Sequence, residues 1–236
     1  MSPAALLFDF DGVIADSEIV SARCLAQALS EAGLPTSLIQ AAERYSGLHR
    51  AETLAAIAAY WGTRTPHDIA DRIARHVDSA FAAGIDPVPG AVAFIRGAAP
   101  LPIAIGSSST TDYIRGHLTR FGLAEPFGPH VYSGREHVAR GKPHPDIYLH
   151  AAASLGVDVR AAVIIEDSPV GSRAAVASGA RVIGFIGGSH AQPGLTAALR
   201  AEGVETVLAS YPEIAHYLGL PLPAEEKFVR RTAPGG

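Results

Sequence analysis

Short apolar runs and segments of helical periodicity alternate along most of the chain. Residues 6–10 form an apolar run that meets acidic residues at its C-terminal end, which is typical of a buried parallel strand. Residues 16–81 show helical periodicity without a strand. Helices are predicted over residues 17–33, 52–60 and 68–81. Glycine and proline residues at positions 84–90 then predict a linker.

Beyond residue 90, strands are predicted to alternate with helices. Strands are predicted over residues 102–105, 131–132, 162–165, 181–185 and 206–208, and helices over 111–121, 145–155 and 171–178. Such alternation implies a parallel sheet with right-handed crossovers. The sequence predicts an α/β protein with a three-layer, Rossmann-like parallel sheet core. This core comprises residues 1–15 and 87–220, an all-helical cap domain is inserted at 16–86, and 221–236 form a flexible tail.

Composition narrows the classes of partner and compartment. The 236 residues suffice for one sizeable core and a modest second domain, and the net charge of −4 creates no general basic field. Nucleic acid and membrane partners are therefore not predicted. Because Cys24 is the only cysteine and no signal-like leader or membrane-spanning apolar segment is visible, we expect a cytoplasmic protein, by default a monomer.

Candidate chemical groups follow four of the predicted strands. They are Asp9 and Asp11, then Ser107, then Lys142, and finally Glu166 with Asp167. The carboxyl ends of parallel strands meet at one edge of a sheet, where ligands bind, so we expect these side chains to lie together. Carboxylates crowded in this way repel one another, and a divalent cation relieves the repulsion. Hard oxygen ligands favour Mg²⁺.

A cation, a lysine and a hydroxyl together suit the oxygens of a transferring phosphoryl group. Asp9 and Asp11 would point the same way on an extended strand. One can attack phosphorus, while the other protonates the leaving alcohol and later deprotonates water. Each motif alone could also be a turn, a surface lysine or a helix cap. The ordered combination predicts a shared site.

These motifs resemble the haloacid dehalogenase-like hydrolase superfamily. They are Asp9-Phe10-Asp11-Gly12-Val13, Ser107 after its strand, Gly141-Lys142-Pro143 and Glu166-Asp167-Ser168. The resemblance covers about residues 5–185. The helical insert resembles the cap of the subgroup that contains β-phosphoglucomutase, phosphoglycolate phosphatase and sugar-phosphate phosphatases.

The resemblance implies a role for each matching residue. Asp9 would be the nucleophile and Asp11 the general acid and base, with Ser107 and Lys142 binding the phosphoryl group. Mg²⁺ would be held by Asp9, the backbone carbonyl of Asp11 and Asp167, with Glu166 nearby or bound. The residues expected to bind substrate are Glu18, Gly47, Arg50 and Ser108. Arg50 is the candidate for specificity, because a guanidinium suits a carboxylate or a second phosphate; the alternative is a solvated cap arginine.

The expected function is a Mg²⁺-dependent phosphatase that hydrolyses a small phosphorylated metabolite, a sugar phosphate or sugar-acid phosphate, through an aspartyl phosphate on Asp9. The alternative is a β-phosphoglucomutase-like phosphomutase. Ser21 stands where these mutases carry a histidine, which favours hydrolysis. Residues 16–21 and 132–134 are similar to 6-phosphogluconate phosphatase-like members. A non-catalytic binding protein on the same fold is a third hypothesis, which the intact acidic residues disfavour.

Overall fold

The computed structural model describes residues 2–45, 48, 50–98 and 100–221. One parallel sheet lies at its centre. Its strands are β1 (Ala5–Phe8), β2 (Ile103–Ser107), β3 (Val131–Ser133), β4 (Ala162–Glu166), β5 (Arg181–Phe185) and β6 (Thr206–Leu208). They lie in the order β3–β2–β1–β4–β5–β6. The chain extends the sheet first to one side of β1 and then to the other, so the switch point at which such sheets bind ligands lies between β1 and β4.

Helices connect these strands. Between β1 and β2 lie α1 (Ser17–Glu31), α2 (Leu38–Tyr45), α3 (Arg50–Trp61), α4 (Ile69–Ala83) and α5 (Ala91–Gly97). After β2 come α6 (Thr111–Phe121), α7 (Ala124–Phe127), α8 (Asp146–Ser154), α9 (Pro169–Ala177), α10 (Leu195–Ala201) and α11 (Tyr211–Leu218). Within the described residues, no helix is long and apolar enough to cross a membrane.

The apolar strands are buried on both faces of the sheet. Leu6 and Phe8 of β1 belong to one core cluster, which also contains residues of α5, α6 and α11. Leu7 belongs to a second cluster, with residues of α8 and α9. Because successive side chains of a strand point to opposite faces, two helical layers can cover one sheet. The predicted three-layer α/β core is confirmed.

The helices α1–α4 have an apolar core of their own, which includes Leu25, Leu29, Tyr45 and Ile57. They follow β1 as an all-helical insertion, as the sequence predicted. The two chain connections to this insertion run side by side, since Ala15 forms an antiparallel bridge with Pro87. The boundaries at 15/16 and 86/87 stay predictions, and residues 222–236 of the predicted tail lie outside the described part.

Several elements differ from the prediction. β1 ends at Phe8 rather than at residue 10, because the chain turns there and Ile14 N donates to Phe10 O (2.8 Å). The helices α2, α5, α7, α10 and α11 were not predicted. They are only four to eight residues long, too short for helical periodicity to be read reliably.

Candidate active site

A buried lysine joins two carboxylates that come from different strand ends. Lys142 Nζ donates to Asp9 Oδ1 (2.7 Å) and to Glu166 Oε1 (2.6 Å). The Lys142 side chain is 5% exposed and that of Glu166 is completely buried. Burial lowers the pKa of Lys142, but the adjacent charges of Asp9 and Glu166 outweigh it and raise this pKa. The lysine is therefore a fixed cation within the sheet edge.

Both carboxylate oxygens of Glu166 are engaged. Oε1 also accepts from Tyr148 OH (2.9 Å). Oε2 accepts from the backbone N–H of Asp167 (3.0 Å), and from the backbone N–H (3.0 Å) and hydroxyl (3.1 Å) of Ser168. A Cβ at Gly171 would overlap this carboxylate, so only glycine lets the first turn of α9 pack against it. Glu166 is thereby oriented towards Lys142.

Asp167 pairs with a histidine and leaves one oxygen unused. Its Oδ2 lies 3.0 Å from His190 Nε2, whereas the buried Oδ1 has no hydrogen-bond partner in the described part of the chain. Burial raises the pKa of Asp167 and His190 opposes this rise. For His190, burial lowers the pKa, but the hydrogen bond and charge of Asp167 raise it overall. The backbone of Gly12 packs closely against Asp167, and only glycine allows this, since a Cβ at position 12 would overlap Asp167 Oδ2.

Three acids offer a candidate metal centre. Asp9, Glu166 and Asp167 each supply a carboxylate oxygen, and these oxygens lie within 4.8 Å of one another. Burial raises the pKa of Asp9, and the neighbouring carboxylates raise it further against the opposing charge of Lys142. A hard divalent cation fits such a cluster, because it would offset this repulsion and satisfy the orphaned Asp167 Oδ1.

Asp11 lies in a different environment, although only Phe10 separates it from Asp9. Its Oδ1 accepts from Ser17 Oγ (2.6 Å) and Tyr113 OH (3.1 Å), and its Oδ2 accepts from Ser109 Oγ (2.5 Å). Ser17 begins α1, whereas Ser109 follows β2 and Tyr113 belongs to α6. Three hydroxyls from separate elements thus hold this carboxylate.

A cavity of about 230 Å³ lies over this edge of the sheet. The predicted residues among its lining are Asp9, Asp11, Glu18, Ser107, Ser108, Lys142 and Asp167. The cavity is smaller than the roughly 300–1,000 Å³ typical of sites for drug-sized ligands, which suits a small metabolite.

Two predicted substrate-binding residues are not placed in this cavity. Arg50 lines a second cavity of about 320 Å³ among the cap helices, which shares Glu18 and Leu48 with the first. Gly47 lies outside the described residues. The specificity role predicted for Arg50 would therefore act through the cap cavity.

The structure adds residues that the sequence did not single out. Arg135 and His190 line the cavity of about 230 Å³ over the sheet edge, the candidate catalytic cavity. Tyr148 donates to Glu166, and Ser109 and Tyr113 donate to Asp11. His190 follows β5 in Gly187-Gly188-Ser189-His190, so the rule that polar residues follow strands could have found it. The two tyrosines lie on helices, where periodicity predicts a face but not a partner.

A parallel sheet with carboxylates and a lysine at its switch point, next to an inserted helical cap, defines a class of hydrolases. The family model described as haloacid dehalogenase-like hydrolase matches residues 6–185. The chain belongs to this family.

Curated relatives and a solved structure agree with this assignment. Hexitol phosphatase A of Escherichia coli (strain K12) is 30% identical over 181 residues, covering 75% of this chain and 80% of the relative. The 6-phosphogluconate phosphatase of the same strain is 24% identical over 190 residues, covering 80% and 85%. The crystal structure of a HAD family hydrolase from Deinococcus radiodurans R1, with bound phosphate and sodium, has a TM-score of 0.83 and 36% identity, covering 95% and 100%. The predicted enzyme class, a phosphoric monoester hydrolase, is confirmed.

Proposed function

We propose that this protein is a Mg²⁺-dependent phosphatase that hydrolyses a sugar phosphate or sugar-acid phosphate through an aspartyl phosphate on Asp9. The observation that carries the proposal is the placement of Asp9, which contacts Lys142 within a cluster of acids at the cavity floor. The names of the relatives, a hexitol phosphatase and a 6-phosphogluconate phosphatase, support the substrate class.

Asp9 and Asp167 would hold the metal, with the backbone carbonyl of Asp11 as the family resemblance implies. The orphaned Oδ1 of Asp167 supports this assignment. Glu166 is a weaker candidate ligand, because both of its oxygens already accept hydrogen bonds and one of them contacts Lys142. When bound, Mg²⁺ supplies positive charge that offsets both the carboxylates and the phosphoryl oxygens.

In the first step an Asp9 oxygen attacks phosphorus, and the bond from phosphorus to the leaving oxygen breaks. Asp11, in its protonated form, gives its proton to that oxygen and the alcohol departs. Lys142 stabilises charge on the phosphoryl oxygens. Ser107 Oγ accepts from Ser109 N (3.0 Å), which leaves the Ser107 hydroxyl hydrogen for the phosphoryl group.

In the second step a water molecule gives a proton to the Asp11 carboxylate and attacks phosphorus. The bond between phosphorus and Asp9 breaks, inorganic phosphate leaves, and both aspartates return to their starting forms. A phosphomutase would instead return the phosphoryl group to a sugar hydroxyl. Ser21 supports hydrolysis, because the family's mutases carry a histidine at this position.

The test combines turnover with trapping of the intermediate. After treatment with a chelator, phosphate release from sorbitol 6-phosphate and 6-phosphogluconate should require added Mg²⁺, and acid quenching with ³²P-labelled substrate should leave label on the protein. Asp9→Asn should abolish both signals, a loss on the order of 10⁴-fold or more. The matched control is Asp158→Asn, at an exposed aspartate paired with Arg160, which should keep both. Label retained in Asp9→Asn, or isomerised sugar phosphate without release of phosphate, would refute the proposal.

A further inference from the structure

Among the described residues, the catalytic cavity contains a cation that forms no salt bridge with a carboxylate. The basic side chains among its described lining residues are Lys142, Arg135 and His190. Lys142 is held by Asp9 and Glu166, and His190 by Asp167. Arg135 is exposed and forms no ion pair with any described residue. Since Lys142 is assigned to the transferring phosphoryl group and His190 to Asp167, Arg135 is available to bind another part of the substrate.

The backbone that carries Arg135 is fixed beside the predicted phosphate-binding serine. Arg135 N donates to Ser133 Oγ (3.2 Å), and His137 N donates to Ser133 O (3.0 Å). Gly134 N donates to Ser107 O (2.7 Å), which ties this turn directly to the end of β2. The position of the guanidinium is thus limited by a turn attached to the sheet, unlike that of a side chain on an isolated loop.

The lining of the cavity also includes a carboxylate from the cap. Glu18, in the first turn of α1, lines the catalytic cavity from the cap side. Arg50, the arginine that the sequence suggested for specificity, lines the cap cavity instead. A leaving group in the catalytic cavity would therefore meet a cation from the core and a carboxylate from the cap.

We infer that Arg135 is a specificity-determining residue that binds a second anionic group on the leaving group of the substrate. The preferred substrates would then be phosphomonoesters that also carry a carboxylate or a second phosphate. The planar fork of a guanidinium matches the paired oxygens of either group. This inference rests on the proposed phosphatase activity and narrows its substrate class.

The test compares phosphorylated hexose derivatives with and without a second anionic group. The kcat/KM values for 6-phosphogluconate and fructose 1,6-bisphosphate are measured against those for sorbitol 6-phosphate and glucose 6-phosphate, at low and high salt. Arg135→Gln should lower kcat/KM for the doubly anionic substrates about tenfold more than for the others. Arg135→Lys should restore part of the difference, and high salt should reduce it. Arg200→Gln, the same change at an exposed position on α10, is the control for net charge.

Each outcome decides between the two claims. If the wild-type protein hydrolyses none of the four substrates with Mg²⁺, the proposed function fails. If it hydrolyses them without favouring the doubly anionic pair, or if Arg135→Gln slows all four equally, the inference about Arg135 is overturned and the phosphatase remains. Loss of the preference in Arg50→Gln but not in Arg135→Gln would also overturn it and move recognition to the cap. If Arg135→Gln lowers kcat/KM more for 6-phosphogluconate than for fructose 1,6-bisphosphate, Arg135 binds a carboxylate. The reverse result means that it binds a second phosphate.

Discussion

Two aspartates separated by one residue occupy contrasting halves of the same site. On the Asp9 side, defined as Asp9, Lys142, Glu166 and Asp167, the contacts are ionic and the side chains are buried. On the Asp11 side, defined as Asp11, Ser17, Ser109 and Tyr113, a partly exposed carboxylate accepts from three neutral hydroxyls. Pairs of carboxylates whose surroundings differ in this way commonly divide the roles of a reaction.

The different surroundings of Asp9 and Asp11 match their different proposed roles in the reaction. A nucleophile benefits from a fixed position, and removing one member of a buried ion network leaves an uncompensated charge. A group that gives up a proton and takes it back needs partners that tolerate both forms. Hydroxyls can donate or accept, so the Asp11 side can adjust to either protonation state.

The largest expected effect on stability lies on the Asp9 side. Glu166→Gln replaces a buried carboxylate that balances Lys142 and accepts from two backbone N–H groups. We expect it to lower the free energy of unfolding by about 3–5 kcal/mol. Ser109→Ala on the Asp11 side should cost about 0.5–1.5 kcal/mol, measured by urea denaturation in the presence of a chelator.

The control for Glu166→Gln is Glu202→Gln, the same substitution at a half-buried glutamate paired with the exposed Arg173, which should change stability little. If Glu166→Gln and Ser109→Ala lower the free energy of unfolding equally, the two sides contribute equally to stability. The contrast between an ionic and a neutral half of the site would then have no energetic meaning.

A smaller effect is expected from the histidine that holds Asp167. His190→Ala removes the partner of Asp167 Oδ2, so the carboxylate can rotate away from the metal position. Loss of such a supporting partner typically weakens metal binding about 10–100-fold. The readout is the rise in unfolding temperature with Mg²⁺ concentration, which needs no turnover.

His190→Gln, whose amide can still donate, should recover part of the Mg²⁺ affinity, and His216→Gln at an exposed position on α11 should leave it unchanged. If His190→Ala shifts the melting temperature without altering its dependence on Mg²⁺, His190 supports only the fold. His190 would then not contribute to metal binding on the Asp9 side.

The sheet and the cluster at its edge could be predicted because both follow from local patterns. Each strand is a short apolar run, and Asp9, Ser107 and Glu166 stand at or directly after such a run, so parallel topology brings them to one edge of the sheet. Lys142 reaches Asp9, 133 positions earlier in the chain, from the loop between β3 and α8. What the pattern could not supply is the direction of each side chain. The alternation rule places Asp9 and Asp11 on one face, yet β1 ends at Phe8 and the turn after it gives them different partners.

The residues of helices and loops that contact the site could not be predicted from the sequence, because the directions of their side chains depend on tertiary packing. Tyr148 and Tyr113 reach the site from helices whose packing fixes their orientation, and a single sequence does not encode that packing in its periodicity. Arg135 resembles any charged loop residue until the hydrogen bond from Gly134 to Ser107 places its turn at the cavity. Spacing identified the strand ends, and only tertiary contacts identified what surrounds them.

The smallest expected effect lies on the Asp11 side. Tyr113→Phe removes one of three hydroxyl donors to Asp11 but keeps a ring that packs against Phe10 and His117. Because Ser17 and Ser109 still donate, we expect kcat to fall only about two- to tenfold, in line with the loss of one hydrogen bond. Steady-state phosphate release provides the measurement. The control is Tyr132→Phe on β3, because the Tyr132 hydroxyl contacts His130 and not Asp11.

The combination of Tyr113→Phe with Ser109→Ala sharpens the comparison further. If the hydroxyls act as interchangeable donors, the double variant should lose more than the sum of the two single effects, since only Ser17 would then hold Asp11. A loss in Tyr113→Phe alone as large as that in Asp11→Asn would mean that this phenol takes part in the proton transfer itself. The Asp11 side would then depend on one fixed partner, and its contrast with the Asp9 side would disappear.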